Sequence, residues 1–220
     1  MPLRAVFFDF DGLILDTESP EVEVWQEMFR EHGLEFPDEN WIFAIGRGAD
    51  QIEEKPIALL QRLLGRPVDV ASVGAEYTRR VAARIGAEPI RAGVVELADG
   101  LRDAGHTVWV VSSSRHDWVD GHLARLGIAD RFARTICREE AARAKPFPDL
   151  YLRACEFAGV NPADAVALED SPNGITAAKA AGLYCVAVPN RMTRVLNLSA
   201  ADRRVESLSE VTADVLASWV

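Results

Sequence analysis

Long apolar runs are absent from this 220-residue sequence. No stretch approaches the roughly 20 residues that a membrane-spanning helix needs, and the N-terminus lacks a signal-peptide pattern. Cysteine is scarce: Cys137, Cys155 and Cys185 are odd in number, far apart, and set in apolar or helical surroundings. That spacing argues against a disulfide framework, a metal cluster or a nucleophile, and fits buried free thiols in a reducing compartment. The four histidines include no pair at metal-ligand spacing; His32 reads as a polar helix end, and His116 and His122 as helix surface. Positive charge is in deficit, with 24 Lys and Arg against 34 Asp and Glu and a formal net charge of −10. A nucleic-acid backbone or an anionic membrane is therefore a poor partner. A small anionic substrate stays compatible, because a few local cations or a metal reverse the sign inside a pocket. Internal repeats and low-complexity tracts are also missing. The expected compartment is the cytoplasm.

What is present is ordinary for a globular protein: 49% hydrophobic and 26% charged residues, on a chain long enough to bury a substantial core. The first strong feature is Ala5-Val6-Phe7-Phe8-Asp9-Phe10-Asp11-Gly12, an apolar run that ends in two carboxylates and a glycine. Continuous runs mark strands of parallel sheets, whose faces are both covered by helices. Taken alone, the acid pair is equally a solvated turn. Helical periodicity follows through Val22, Trp25, Met28 and Phe29. A short helix then opens at Pro37 and Asp38, carries Trp41, Ile42 and Phe43, and is interrupted at Gly46-Arg47-Gly48. Two more helices hold Ile52, Leu59, Leu60, Leu63 and Leu64, then Val73, Tyr77, Val81 and Ile85. Nothing from 18 to 88 reads as a buried strand. Residues 18–88 are therefore expected to form an all-helical insertion within an α/β core of residues 1–17 and 89–220.

From residue 94 helix and strand alternate. Strands are expected at Thr107–Val111, around Ala133–Ile136, at Ala165–Leu168 and at Tyr184–Val188, and the C-terminal tail reads as helix around Leu208 to Trp219. Such alternation implies right-handed crossovers and an open, mostly parallel, Rossmann-like sheet with helices on both faces. All strand carboxyl ends then share one edge, where open α/β sheets bind ligands. Asp9, Asp11, Ser112, Glu169 and Asp170 converge there, with Lys145 on the proline-stiffened loop Lys145-Pro146-Phe147-Pro148-Asp149. Clustered carboxylates repel one another unless a cation neutralises them. An all-oxygen set suits a hard cation, Mg²⁺ when phosphate is also bound. Lysine and serine hydroxyl are donors suited to phosphoryl oxygens. One aspartate can then attack phosphorus while a second carboxyl moves the proton. The competing reading is an acid cluster that binds metal without turnover.

These stretches also carry a resemblance. Phe7–Leu13 (FFDFDGL), Val110–Ser114 (VVSSS), Lys145–Asp149 (KPFPD) and Leu168–Gly174 (LEDSPNG) resemble, in order, the four motifs of the haloacid dehalogenase-like hydrolase superfamily, over nearly the whole chain. The resemblance implies that Asp9 is nucleophile and Mg²⁺ ligand, and that Asp11 is general acid/base and a metal ligand through its backbone carbonyl. It implies that Ser112, Ser113 and Lys145 hold the phosphoryl group and that Asp170, with Glu169, completes the metal site. The insertion would be a cap of the β-phosphoglucomutase-like branch, closing over the site to exclude water and select substrate.

Departures narrow the expectation. Dehalogenases and phosphonatases of the superfamily lack the second acid that Asp11 supplies. Phosphonatases also use a cap lysine, whereas Lys55, next to Pro56, reads as surface. The phosphoglucomutases place a histidine and a cap arginine where Glu21 and Ala49 stand here. The expected activity is Mg²⁺-dependent hydrolysis of a small phosphomonoester, a sugar or related metabolite phosphate, through an aspartyl-phosphate. The alternatives are a phosphosugar mutase and, from another class, a regulatory module that keeps the fold without turnover. Arg47, Glu18 and Glu21 are the candidate specificity residues. A small phosphorylated metabolite is the expected partner, with no nucleic acid and no membrane, and the expected state is a monomer, with a dimer as the alternative.

Overall fold

The computed structural model describes residues 3–37 and 54–220. The chain divides into two compact units, Asp16–Glu88 and a second built from Met1–Leu15 with Pro89–Val220. Among the described residues, no helix is long and apolar enough to cross a membrane.

The larger unit is organised on β1 (Ala5–Phe8), whose four residues are all buried. Sheet order is β3-β2-β1-β4-β5-β6, with β2 at Thr107–Val111, β3 at Arg134–Ile136, β4 at Ala165–Glu169, β5 at Tyr184–Ala187 and β6 at Arg203–Arg204. Every pairing is parallel, and β1 aligns Phe8 with Val110 on one side and with Leu168 on the other. That register brings the ends of β1, β2 and β4 to the same level of one edge. A one-residue slip would swap every side chain between the two covered faces, so the register is fixed by how each face packs against its own helices. The connecting helices are α4 (Val94–Asp103), α5 (His116–Arg125), α6 (Asp149–Ala158) and α7 (Pro172–Ala181). On one face Phe7, Trp109, Ile136, Leu150 and Tyr151 pack with small residues of α7, Ala177 and Ala178, which let that helix lie close against the sheet.

The smaller unit is helical in its described part. Helix α1 (Glu18–Arg30) buries Val22, Trp25, Met28 and Phe29. Helix α2 (Pro56–Leu64) begins with proline at its first position and stops at Gly65, whose φ of 65° is the left-handed value that glycine reaches without steric cost. Helix α3 (Val70–Ala87) is capped by Asp69, which accepts from the amides of Ala71 and Ser72, an arrangement worth about 1 kcal/mol. Trp25 stacks on Tyr77 with centroids 4.3 Å apart, joining α1 to α3. Arg84 pairs with Glu23 and Glu27, and Arg80 with Glu31, along the same seam. Half-exposed pairs of this kind contribute only about 0–1 kcal/mol each, so the aromatic stack carries the contact.

Several expectations need correction. The C-terminal tail is not one helix: a single 3₁₀ turn, Leu208–Glu210, is followed by α8 (Ala213–Ala217), because Thr212 breaks the run and caps the second piece through the amide of Val215. The strand β6 was not foreseen, for its two residues are exposed arginines with no apolar signal. The proline-stiffened loop at Lys145 is a turn, with a cis Lys145–Pro146 bond and the Phe147 amide bonded to the Ala144 carbonyl at 3.1 Å. His122 is not simply helix surface; its ring meets that of Trp118 at 4.4 Å. His116 is held between carboxylates, Nε2 at 2.6 Å from Glu140 and Nδ1 at 2.9 Å from Asp120. The short helix expected after Pro37, and Arg47 with it, lie outside the described residues.

Candidate active site

The chain leaves β1 at Phe8, and the next residue, Asp9, remains buried with its amide bonded to the Leu168 carbonyl at 3.0 Å. Just past Asp11, Gly12 adopts φ 80° and its amide meets the Leu15 carbonyl at 2.7 Å, so the backbone doubles back directly behind Asp11. A Cβ at Gly12 would come within 2.2 Å of Asp170 Oδ2, which is why the position holds glycine. β4 ends at Glu169, and Asp170 follows. Ser171 then caps α7 by accepting from the Gly174 amide at 3.2 Å, with Pro172 at the first helical position. Gly174 lies directly under Glu169: a Cβ there would sit 1.8 Å from Glu169 Oε2.

Lys145 joins these strand ends. Its Nζ donates to Asp9 Oδ1 at 2.5 Å, to Glu169 Oε1 at 2.6 Å and to the Val111 carbonyl at 2.8 Å, and its side chain is only 6% exposed. Tyr151 donates its hydroxyl to Glu169 Oε1 at 2.5 Å. Burial pushes the Asp9 carboxyl well above the usual carboxylate range; Lys145 opposes that shift, and Glu169 and Asp11 add to it. Burial pulls the Lys145 ammonium down, but Asp9 and Glu169 outweigh it and hold it above its ordinary value. Asp9, Glu169 and Asp170 each offer an oxygen within 4.8 Å of the others. A single buried ammonium does not balance three carboxylates, and Glu169 Oε2 is buried with no hydrogen-bond partner among the described residues. A buried acceptor left unsatisfied is costly, so this corner has both the charge and the vacant lone pairs that a hard cation would satisfy.

Asp11 stands apart from that group. Its Oδ2 accepts from Ser114 Oγ at 2.6 Å and from Ser112 Oγ at 3.3 Å, and its Oδ1 accepts from Trp118 Nε1 at 2.9 Å. Ser112 also receives the Ser114 amide at 3.0 Å, whereas Ser113 is exposed and its hydroxyl accepts from the Lys145 amide at 3.2 Å. Glu18 and Glu21 occupy the first turn of α1 in the helical unit. The sequence reading missed Ser114, Trp118, Tyr151, Asn190 and Arg91. Asn190 is buried and donates to Asp170 Oδ2 at 2.8 Å. Arg91 donates to the Gly12 carbonyl and, at 2.9 Å, to that of Pro189. Tyr151 and Trp118 looked like packing residues at helical spacing. Asn190 follows β5, where an amide after an apolar run was the available signal.

A parallel sheet with acids at the ends of two strands and a lysine bridging them defines the class. The chain belongs to the haloacid dehalogenase-like hydrolases, whose family model matches residues 3–182. It is 39% identical over 214 residues to YhcW of Bacillus subtilis (strain 168), covering 97% of this chain and 96% of that protein. It is 30% identical over 213 residues to the validoxylamine A 7'-phosphate phosphatase of Streptomyces hygroscopicus subsp. limoneus, covering 94% and 95%. A point mutant of CbbY from Rhodobacter sphaeroides, solved in complex with xylulose-(1,5)bisphosphate, superposes with a TM-score of 0.71 at 28% identity, covering 94% of this chain and 96% of that one.

Proposed function

We propose that the chain is a phosphatase that hydrolyses a small phosphomonoester, a sugar or related metabolite phosphate. The observation that carries the reading is the division of labour between two aspartates on one loop. Asp9 is buried against Lys145 and aligned with Glu169 and Asp170; Asp11 is turned to a separate set of donors. The similarity to a phosphatase and to a protein solved with a sugar bisphosphate supports the substrate class.

Mg²⁺ fits the donor set, which is all oxygen and includes Glu169, one of whose oxygens has no partner among the described residues. Asp9, Glu169 and Asp170 would hold it, with the Asp11 carbonyl. When bound, it supplies charge neutralisation for an anionic ester beside anionic side chains. In the proposed reaction a carboxylate oxygen of Asp9 attacks phosphorus, the phosphorus–ester oxygen bond breaks, and Asp11 gives its proton to the departing alcohol. Water then attacks the aspartyl-phosphate, its proton returns to Asp11, and the Asp9 carboxylate is released with inorganic phosphate. Lys145 keeps Asp9 oriented and offsets charge on the phosphoryl oxygens, with Ser112 and Ser113 at the same edge. The helical unit, through Arg47, Glu18 and Glu21, is the proposed source of substrate selection.

The test is phosphate release from p-nitrophenyl phosphate with Mg²⁺. Asp9→Asn should reduce kcat by at least about a thousandfold, within the range that loss of a covalent step produces. Turnover persisting in that variant would overturn the mechanism.

A further inference from the structure

The contact between Asp11 and the first turn of α5 gives Trp118 a part in the chemistry. The two oxygens of Asp11 are not equivalent. Each carboxylate oxygen offers two lone pairs. Oδ2 is filled by two hydroxyls, those of Ser114 and Ser112. Oδ1 has a single donor among the described residues, the Trp118 indole N–H, and so retains a lone pair. The indole is itself held. Its ring meets His122, one helical turn further along α5, with centroids 4.4 Å apart and planes at 73°, and His122 faces Phe10 at 6.2 Å. Phe10 is buried between Asp9 and Asp11, so the chain of contacts returns to the loop it orients.

We infer that Trp118 is a positioning residue for Asp11: it sets the plane of the carboxyl and leaves Oδ1 as the oxygen that meets the departing ester oxygen. Ser114 does the complementary work by occupying Oδ2. The inference rests on the reading of Asp11 as the group that delivers the leaving-group proton. Proton transfer needs a heavy-atom separation near hydrogen-bond length, and a carboxyl free to rotate spends much of its time elsewhere. Fixing one oxygen in advance removes that loss.

The consequence depends on the leaving group. An alkoxide departs poorly without a proton, whereas p-nitrophenolate departs unaided. Misalignment of Asp11 therefore slows phosphoryl transfer from an alkyl ester much more than from an aryl ester. A merely structural role for Trp118 would lower both alike.

The experiment compares kcat/KM for 2-glycerophosphate and for p-nitrophenyl phosphate at saturating Mg²⁺ in the wild type, Trp118→Phe, Ser114→Ala and Asp11→Asn. This parameter covers steps up to the first irreversible transfer, so later hydrolysis of the phosphoenzyme does not enter. Trp118→Phe keeps an aromatic ring against His122 and removes the N–H donor. Its value for the alkyl ester should fall about tenfold, a fraction of what general acid catalysis contributes, and for the aryl ester less than about threefold. Should Trp118→Phe not fold, as read from its thermal transition, Ser114→Ala should give the same split. If Asp11→Asn shows the split and the positioning variants lower both esters equally, or neither, the positioning role is overturned while the role of Asp11 stands. If Asp11→Asn shows no split, the reading of Asp11 fails and the inference with it.

Discussion

Glu169 shows how one residue can be costly and retained. It has no exposed surface, shares Oε1 between Lys145 and Tyr151, and leaves Oε2 without a partner among the described residues. A buried carboxylate of this kind persists only where its remaining lone pairs are used by something else. Tyr151 is the neutral half of its support, donating from a fully buried hydroxyl, and burial followed by Glu169 and Asp9 raises that phenol well above its ordinary value. Tyr151→Phe should therefore lower unfolding free energy by about 1–2 kcal/mol, the cost of removing one partner from a buried acceptor. Urea denaturation checks this, and an unchanged midpoint would show that the bond carries no weight. The tyrosine was visible in the sequence only as one apolar position of α6, since helical spacing marks the buried face and says nothing of what the ring's far end reaches.

Among the elements, the start of α7 matters most. Ser171, Pro172 and Gly174 place the helix immediately behind the acids of β4. Ser171 and Pro172 were legible as cap and first helical residue, because local backbone geometry alone fixes those preferences. The reason for Gly174 was not, because it is the approach of Glu169 from across the turn. Gly174→Ala places a methyl where Oε2 now lies, so Glu169 must move. We expect kcat/KM at saturating Mg²⁺ to fall about a hundredfold, as for an ångström-scale misplacement of a site group. The helix itself should be retained, because alanine is the better helix former. Circular dichroism and steady-state kinetics on the same sample distinguish the two effects.

For the whole molecule the tie between α5 and the segment Arg138–Glu140 sets a pH dependence. Burial pulls the His116 imidazole down, but the carboxylates of Glu140 and Asp120 outweigh it and the net shift is upward from 6.5. A histidine whose value is raised on folding contributes stability that is full below its unfolded value and lost as pH rises through the folded one. The difference in Tm between wild type and His116→Gln should accordingly be widest below about pH 6 and shrink as the solution becomes alkaline. A gap that grows with pH would contradict the pairing. The side chain is about one-third exposed, so solvent screens the pairs and the effect is modest.

Residue type and spacing are enough to mark the main strands, their order along the chain and the residues that end them. Apolar runs closed by acids, and helices closed by glycine, are written in local chemistry. The family follows from the same information, because four ordered motifs need nothing more. How those residues share the work emerges only in three dimensions. Asp9 and Asp11 are two positions apart, yet one faces Lys145 and the Glu169 corner while the other faces Ser114 and Trp118. Successive positions around a turn point in different directions, and the groups they meet come from about a hundred residues or more away. No local pattern encodes such partners; they are set by the register of parallel strands and the side chains that this register brings together.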